Sequence, residues 1–576
     1  MPPVADERPE GEARGRPMRV GLLLEGGRVA GWQRAFVDRL KDDPGVSLAL
    51  VIAAPQGPTG RPAHAIWSSI DAAERALARR LFGRSRVRGD ISMEMLDNKP
   101  VGAQSLAALA GLPTVTWAEG ADRTADEKAA AAIRAASLDV ILDLGCALSS
   151  AEPGDMARHG VWTLCTEHGG YDEVTPFGFW EFYRNEPICT VRLVASSNDA
   201  PDALTVASGS YCIFRWSWNL NAMLLSHKVA WLLADTLKQV SKTRPSAGRG
   251  PRAPEAGRGR PQKTVPGVLQ ALTAPILNGG RVVLEAMRRM VFEDRWRVLL
   301  VEATPQGPAS TSPMVIDPPP HSYWADPFLV RRDGKCYIFF EEYLYAKRRG
   351  VISYIEVSNP AAAARAVAPP VHRVLDEPHH LSYPFLFSLD GSLYMVPETS
   401  RNRTIELWKC VEFPGVWRKE KNIMENLSAV DTSLLNWNGK WWLFTNMDRS
   451  GFADHRNELH VFHSEHPIDG PWLPHARNPV IVDARRARMA GGFLTAPDGR
   501  PVRCCQVQGK KYGESVAFSM IEELSETAYA ETPIHDFAHV SSEPSARHHH
   551  IAYADGLIVA DECRDTFKLG RILKLS

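Results

Sequence analysis

The sequence predicts two domains of different fold class: an α/β domain with an open, mostly parallel sheet, followed by an all-β five-bladed propeller. Two observations predict this division. Continuous apolar strands alternate with helical segments up to about residue 240, whereas short aromatic strands joined by Asp-Gly or Asn-Gly turns fill the chain from about residue 311. In addition, 576 residues are too many for one hydrophobic core.

The α/β prediction starts from residues 18–55. The runs "RVGLLLE" and "VSLALVIAA" are continuously apolar, as buried parallel strands require, and "AGWQRAFVDRLKD" between them has helical spacing. A second unit has a helix at about 125–136 before a buried strand at 139–144. We therefore predict an α/β domain over 18–240, preceded by a disordered tail over 1–17.

Residues 241–266 are dense in Pro, Gly, Arg and Lys, which predicts a flexible basic linker. We interpret it as a solvated tether, because no aromatic residues are interleaved for stacking on nucleic-acid bases. Residues 267–310 are expected to contain a connecting helix, at about 279–292, and a strand. The propeller is expected over 311–576.

Five turn glycines recur 48 to 60 residues apart and predict the propeller. Each follows Asp or Asn and lies between short strands rich in aromatic and β-branched residues, which is typical of a β-hairpin. A near-constant repeat of this length, built of strands alone, fits a four-stranded propeller blade. The five glycines are Gly334, Gly391, Gly439, Gly499 and Gly556.

A candidate site follows from the propeller prediction, because the first strand of every blade lines the central channel. Residues just before each turn would then converge: Asp326, Tyr383, Asp431, Arg488 and His549. Glycosyl chemistry needs one carboxylate as base or nucleophile and one neutral acid to protonate the leaving oxygen. Glu398 is the candidate acid, with Glu341 and Glu342 as competitors. Trp324 and Gln506 join the candidates for substrate binding.

Less specific interpretations of the same residues stay open. Asp326 precedes a proline and could simply begin a strand or cap a turn. The residues His548, His549 and His550 could bind a metal, but successive side chains on a strand alternate in direction. We therefore predict no metal site and one axial histidine that holds water or an ion.

The segments "SYWADPFLVRRDGKCYIFFEE", "AVDTSLLNWNGKWWLF" and "NPVIVDARRARMAGGF" resemble the N-terminal propeller domain of glucosamine inositolphosphorylceramide transferases. That domain is similar to the five-bladed propellers of arabinanase-, xylosidase- and invertase-type glycoside hydrolases. The resemblance covers about 321–576. It implies that Asp326 is base or nucleophile, Asp431 a second aspartate of the site and Glu398 the acid. In the plant enzymes a separate domain is expected to transfer the sugar.

The segment "GVWTLCTEHGGYDEVTPFGFWEFYRNEP" is similar to the formyltransferase fold, whose donor is formyl-tetrahydrofolate. In that fold an Asn and a His polarise the formyl group, and an Asp orients the His. Here Thr163 and Cys165 stand at the first two positions, His168 lies three residues late, and Asp199 or Asp202 would be the remnant of the Asp. The resemblance therefore implies a degenerate domain that does not use formyl-tetrahydrofolate, kept for binding or for docking the propeller. Rescue by His168 is the alternative.

The bulk composition gives no support for a nucleic-acid-binding or membrane-spanning protein. Lys plus Arg equals Asp plus Glu at 67 each, which gives no reason to expect nucleic acid as partner. No apolar run is long enough to span a bilayer, no signal peptide is recognised, and scattered cysteines suit the cytoplasm.

We expect a carbohydrate-active protein that transfers, or hydrolyses, a glycosyl group of a glycan or glycolipid. The sequence identifies no certain cofactor, and a nucleotide-sugar donor would suit transfer. The alternatives are a non-catalytic sugar-binding or scaffold protein, and a formyltransferase acting on an amino sugar.

Overall fold

The fold class predicted from the sequence is confirmed in a computed structural model: a mixed, mostly parallel α/β sheet is followed by a five-bladed β-propeller. The structure describes residues 16–25, 31–54, 69–77, 111–117, 123–145, 156–170, 175, 177–197, 200–243, 266–304, 307–308, 313–357, 369–534, 540–542 and 546–568. Most of the predicted tail and most of the predicted linker lie outside these residues.

The N-terminal sheet has strand order β3-β2-β1-β4-β5-β7-β8, with β6 beside β5. The first five strands in this order are parallel, and β7 and β8 add an antiparallel edge. The strands are β1 (Met18–Glu25), β2 (Val46–Ala54), β3 (Thr114–Thr116), β4 (Val140–Asp143), β5 (Val161–Thr166), β6 (Gly169–Gly170), β7 (Ile188–Ser197) and β8 (Ala200–Cys212).

Helices cover both faces of this sheet, because its central strands are apolar on both sides. Leu22 and Leu24 of β1 pack with Trp32 on one face, whereas Leu23 packs with Ile133 on the other. Residues 69–77 are also helical. No helix in the described part of the chain is both long and apolar enough to cross a membrane. The helices are α1 (Gly31–Leu40), α2 (Arg123–Ala135), α3 (Phe179–Arg184), α4 (Trp218–Thr243) and α5 (Val268–Val291).

Four blades of the propeller follow one another along the chain. Blade 1 consists of β12 (Ser322–Arg332), β13 (Lys335–Leu344), β14 (Arg349–Val357) and β15 (His372–Leu375). Blade 2 consists of β16 (Ser382–Leu389), β17 (Ser392–Thr399), β18 (Thr404–Glu412) and β19 (Val416–Glu425), with a 3₁₀ turn at Ser400–Asn402. Blade 3 consists of β20 (Ala429–Trp437), β21 (Lys440–Met447), β22 (Glu458–Ser464), β23 (Leu473–Pro474) and β24 (Ile481–Val482). Blade 4 consists of β25 (Met489–Thr495), β26 (Pro501–Val507), β27 (Ser515–Leu524) and β28 (Tyr529–Ile534).

Blade 5 closes the ring with strands from both ends of the propeller. Its innermost strand β29 (Ile551–Ala554) pairs with β30 (Leu557–Phe567), and β30 pairs with β9 (Phe292–Thr304). β9 also pairs with β10 (Gly307–Pro308) and β11 (Met314–Ile316). The expected start of the propeller at residue 311 is therefore corrected to residue 292. β9 forms an eleven-residue antiparallel ladder with β30, and this pairing between distant segments has no local sequence signal.

The turns between the first two strands of the blades explain the repeat. In four of them the two turn residues both have positive φ, as the type I′ hairpin requires: Asp333-Gly334, Asp390-Gly391, Asn438-Gly439 and Asp555-Gly556. The fourth blade differs, because Thr495 pairs with Pro501 across a longer loop. These turns fix the register of the inner strands and so the height of the site residues in the channel.

The two domains contact each other through α4 and the loop between β21 and β22. The Lys228 ammonium lies 2.6 Å from the Asp454 carboxylate, and both side chains are buried. Asp235 of the same helix forms an ion pair with Arg449 at 2.8 Å. Losing one partner of a buried pair is strongly destabilising, so these contacts hold the α/β domain against blade 3.

Candidate active site

The innermost strands of four blades bulge at the same place. Each ladder between the first two strands of a blade shifts register there. A left-handed backbone costs a residue other than glycine roughly 1–2 kcal/mol, and such strain collects at functional sites. The bulged residues are Asp326, Tyr383, Asp431 and Gly491, with φ of 51°, 44°, 53° and 126°. Three of the sequence-predicted site residues therefore occupy equivalent positions.

The second strands of blades 1 and 2 add one glutamate each beside the bulge. Glu341 pairs with Ala325, and Glu398 pairs with Ser382, the residues that precede Asp326 and Tyr383.

The competitor Glu342 belongs to a different environment. Its carboxylate accepts hydrogen bonds from Ser353 Oγ at 2.9 Å and from Arg373 at 3.2 Å. Glu341, by contrast, has a pKa that burial and the aspartates of the channel raise.

Asp326 lies beside two histidines in a buried cluster. His549 Nε2 is 3.3 Å from Asp326 Oδ1, and His549 Nδ1 is 2.8 Å from Asp561 Oδ2. Burial would lower the pKa of His549, but the two carboxylates outweigh burial and raise it. Burial opposes ionisation of Asp326 as well, but the charges of His549 and His550 outweigh it and lower the pKa of that carboxyl to about 2. Asp326 is therefore ionised at neutral pH.

Asp431 is held by a cation and an amide. Arg488 Nε donates to Asp431 Oδ2 at 2.6 Å, and Gln506 Nε2 donates to the same oxygen at 3.2 Å. The Arg488 guanidinium also lies over the ring of Tyr512, 5.3 Å from its centroid. Burial raises the pKa of Asp431, and Arg488 offsets part of that rise. This carboxylate is a fixed anchor for Arg488, and its hydrogen bonds leave it less free than Asp326 to react.

Glu398 has the properties of a general acid. Burial, followed by the charge of Asp431, raises the pKa of Glu398 to about 7, and Ser400 Oγ donates to its Oε1 at 2.7 Å. Burial and the charge of Asp326 raise the pKa of Glu341 well above its usual value. A pair of carboxyls whose environments push their pKa values apart is the arrangement that acid–base catalysis uses. Asp326 and Glu398 are such a pair.

Asp326, His549 and Asp561 are also a donor set that suits a cation. Their ligand atoms lie within 4.8 Å of one another, the one such group among the described residues. Both ring nitrogens of His549 face carboxylates, so a bound ion would replace the imidazolium proton. His550 lies near Asp326 too, with Nδ1 at 3.5 Å, whereas His548 Nδ1 contacts the backbone carbonyl of Asp561 at 2.8 Å.

Trp324 and Tyr383 lie in the protein interior, where neither is exposed to solvent. Trp324 packs on Phe340 with ring centroids 4.6 Å apart. The Tyr383 hydroxyl contacts Ser433 Oγ at 2.8 Å and donates to the Gly491 carbonyl, and the Gly491 amide donates back to it at 3.0 Å. The Tyr383 hydroxyl thus joins blade 2 to blades 3 and 4, a structural contact that the sequence did not indicate.

Tyr383→Phe is expected to lower the free energy of unfolding by about 1–3 kcal/mol, because the buried amide of Gly491 loses its acceptor. The Gly491 carbonyl keeps the hydrogen bond that Ser433 donates. Denaturant unfolding measures this loss. Tyr553→Phe, at an exposed tyrosine of blade 5, is the matched control and should leave the midpoint unchanged. Equal midpoints for both variants would refute the structural role of the Tyr383 hydroxyl.

Sequence reasoning missed Asp561, Tyr512 and His380. Asp561 accepts hydrogen bonds from the amides of Asp326, His549 and His550. Burial lowers the pKa of His380 to about 4, and the charge of Asp326 opposes that fall. A periodic signal was available for the second strands: the seventh residue after the turn glycine in blades 1 to 4 is Glu341, Glu398, Asn446 and Gln506.

The positions expected for a degenerate formyltransferase lie on β5, on the turn that follows β5 and on the edge strand β8. Cys165 is buried, and burial raises the pKa of its thiol. His168 Nε2 lies 2.7 Å from Glu186, and Arg184 contacts its Nδ1 at 3.1 Å. Glu186 is thus one partner of His168, and rescue by His168 stays a hypothesis. Asp202 belongs to β8, and its side chain lies outside the described residues.

Thr163→Ala is expected to leave turnover within about twofold of wild type. The Thr163 hydroxyl is buried and has no hydrogen-bond partner among the described residues, and the resemblance implies that this position has lost its amide. Turnover measured beside His168→Ala checks this expectation. A large loss in Thr163→Ala would return the chemistry to the α/β domain.

The fold and the site together define a five-bladed β-propeller with an acidic axial site. Residues 308–553 match the family described as "Glucosamine inositolphosphorylceramide transferase 1, N-terminal". The match covers the propeller without β9 and β30, which is less than half of the chain, and leaves the α/β domain unassigned.

Two curated relatives carry the name glucosamine inositolphosphorylceramide transferase 1. The protein of Arabidopsis thaliana is 34% identical over 217 residues, and that of Oryza sativa subsp. japonica is 31% identical over 216 residues. Each match covers 37% of this chain and 28% of the relative. The chain thus spans little more than a quarter of the length of these relatives.

Solved glycoside hydrolases are similar at low identity. A putative glycoside hydrolase from Bacteroides ovatus has a TM-score of 0.33 at 13% identity, covering 46% of this chain and 95% of that one. A family 117 glycoside hydrolase of Zobellia galactanivorans has a TM-score of 0.30 at 11% identity, covering 47% and 90%.

Proposed function

We propose that this protein is a carbohydrate-active enzyme that breaks a glycosidic bond in the channel of its propeller, with Glu398 as general acid and Asp326 as the ionised carboxylate. The observation that carries the proposal is the position of the two carboxyls beside the bulges of neighbouring blades, Asp326 in blade 1 and Glu398 in blade 2, together with pKa values of about 2 and about 7. Each carboxyl then has its required protonation state near pH 6–7, where a glycosidase-type site operates.

The proposed reaction exchanges one bond of the anomeric carbon for another. The bond between the anomeric carbon and the leaving oxygen breaks, and that oxygen takes the proton of Glu398. The anomeric carbon is attacked either by Asp326 itself or by an acceptor hydroxyl whose proton passes to Asp326. The acceptor is water in hydrolysis and a sugar or lipid hydroxyl in transfer. Arg488, fixed by Asp431, provides a positive charge at the side of the channel for a hydroxyl or an anionic group of the substrate.

The general acid Glu398 indicates which class of sugar donor the site uses. An alkoxide leaving group needs a proton, whereas the diphosphate of a nucleotide sugar leaves as a stable anion without one. A half-buried acid with a raised pKa, as Glu398 is, therefore favours a glycoside donor over a nucleotide sugar. The curated relatives are named for a transfer to inositolphosphorylceramide, and on this basis we propose a glycolipid as the substrate class.

The test is product analysis by mass spectrometry with short-chain glycolipids, nitrophenyl glycosides and nucleotide sugars as donors. A product changed by one sugar unit supports the proposal, and the anomer formed separates a nucleophilic from a basic role of Asp326. Sugar binding in calorimetry without any product would instead make the propeller a binding or scaffold module and would refute the proposed catalysis.

A further inference from the structure

The helix α5 exposes its apolar side. Leu269, Ile276 and Met290 keep 71%, 73% and 75% of their surface accessible to solvent. Ten of the seventeen exposed large hydrophobic residues among those the structure describes lie on this one helix. We call the ten the apolar face of α5: Val268, Leu269, Leu272, Ile276, Leu277, Val283, Leu284, Met287, Met290 and Val291.

The polar side of α5 faces the protein. Asn278 Nδ2 donates to the Trp216 carbonyl at 3.1 Å, and Arg281 donates to the carbonyls of Phe182 and Tyr183 at 2.7 and 3.0 Å. A surface helix of a globular protein normally does the reverse and buries its apolar stripe. The contacts that hold α5 in place therefore leave the apolar face without a partner in the described chain.

The shape of the face identifies what covers it. At about 100° per residue, the ten side chains span about 180° of the helix circumference and run along about 36 Å of its length. A coiled-coil seam with a second copy would be a narrower stripe of two positions per heptad. A half-cylinder of aliphatic and methionine side chains is typical of a helix that lies in the plane of a membrane interface.

Positive charge flanks the face. Lys568 is exposed and donates to the backbone carbonyl of Arg289 on α5. The Arg289 side chain is exposed too, and it forms an ion pair with Glu285 at 2.8 Å. The sequence immediately before the helix, residues 241–266, contains seven Lys or Arg residues and one Glu. Basic residues next to an interfacial helix favour anionic lipid headgroups, even though the net charge of the whole chain is zero.

The helix leads directly into the wall of the channel. β9 begins at Phe292, immediately after α5, and Trp296 of β9 packs on His549 with ring centroids 4.1 Å apart. A membrane contact at α5 would thus hold the propeller site close to lipid-borne substrates.

We propose that the apolar face of α5 inserts into the headgroup region of an anionic membrane and docks the protein there as a peripheral, in-plane helix. This inference rests on the proposed function in one respect, because a glycolipid substrate gives the protein a reason to bind a membrane. Its evidence, the exposed face and the flanking charge, is separate from the carboxyls of the channel.

The test is flotation of the full chain with vesicles of phosphatidylcholine and phosphatidylglycerol. Wild type should float with the vesicles, less so at high salt. Leu272→Asn, Ile276→Asn and Met287→Asn combined should weaken binding by more than about tenfold. The matched control carries the same change at three exposed apolar positions of the propeller, Val411→Asn, Val416→Asn and Leu473→Asn, and should bind as wild type does.

Asp326→Asn should also float like wild type, so failure of the proposed chemistry and failure of membrane docking are distinguishable. Equal flotation of the α5 variant and wild type, or no flotation of wild type, would overturn the inference. So would a wild-type dimer in light scattering that the α5 substitutions convert to a monomer, because the apolar face would then belong to an interface between two copies.

Discussion

Asp326→Asn is expected to lower turnover of any glycosyl substrate by about 10³-fold or more, because the amide cannot supply the negative charge, the lone pair or the base that the reaction needs. The variant should still fold, since Asn tolerates the left-handed backbone of this position (φ 51°) nearly as well as Asp. Turnover numbers at saturating substrate measure the effect. The pKa of His549 should fall in the variant, because one of its two carboxylate neighbours is lost.

The matched control for Asp326→Asn is Asp333→Asn. Asp333 has the same backbone conformation, with φ of 52°, but lies in an exposed hairpin turn of the same blade. It should keep wild-type turnover. Comparable turnover in both variants would remove Asp326 from the reaction and would leave the buried cluster as a structural ion network.

Glu398→Gln is expected to lower turnover by about 10²–10⁴-fold on substrates with a poor leaving group. In wild type, activity should fall as the pH rises through about 7, because Glu398 loses the proton that it donates. Asp326, with a pKa of about 2, stays ionised throughout that range. The decline near pH 7 should be absent from the variant, and nitrophenyl glycosides, whose leaving group needs little protonation, should lose much less activity.

Two further variants control the assignment of the acid. Glu412→Gln, at an exposed glutamate of blade 2, should behave as wild type. Glu341→Gln should change turnover without removing the decline near pH 7. If Glu341→Gln removes that decline and Glu398→Gln keeps it, the acid is Glu341 and the role given to Glu398 is wrong.

The turn chemistry explains why the fold could be predicted from the sequence. Gly334, Gly391, Gly439 and Gly556 lie in tight hairpins, whereas Gly499 lies in the longer loop of blade 4. The recurrence of all five glycines gave the number of blades. The closure by β9 was missed, because its ladder with β30 joins segments more than 250 residues apart. The helix α5 was expected from about residue 279 and begins at Val268, since Pro275 and the pair Gly279-Gly280 hide its first turns.

The positions of the candidate site residues could be predicted in part for a related reason. Asp326 and Asp431 precede hairpin turns in the printed sequence, so their blade position was readable. The bulge that turns them and Tyr383 into the left-handed region is a property of the ladder and has no sequence signature. Asp561 acts on Asp326 across 235 residues, and such contacts appear only when the blades are assembled.

One product analysis tests most directly whether Asp326 and Glu398 catalyse the breaking of a glycosidic bond. Wild type, Asp326→Asn and Glu398→Gln are incubated with short-chain glycolipid and nitrophenyl glycoside substrates, and the products are identified by mass spectrometry. We expect wild type to remove or transfer one sugar unit. Asp326→Asn should give no product, and Glu398→Gln should give product with the nitrophenyl substrates only. Equal turnover by all three proteins would contradict a propeller site built on these two carboxyls.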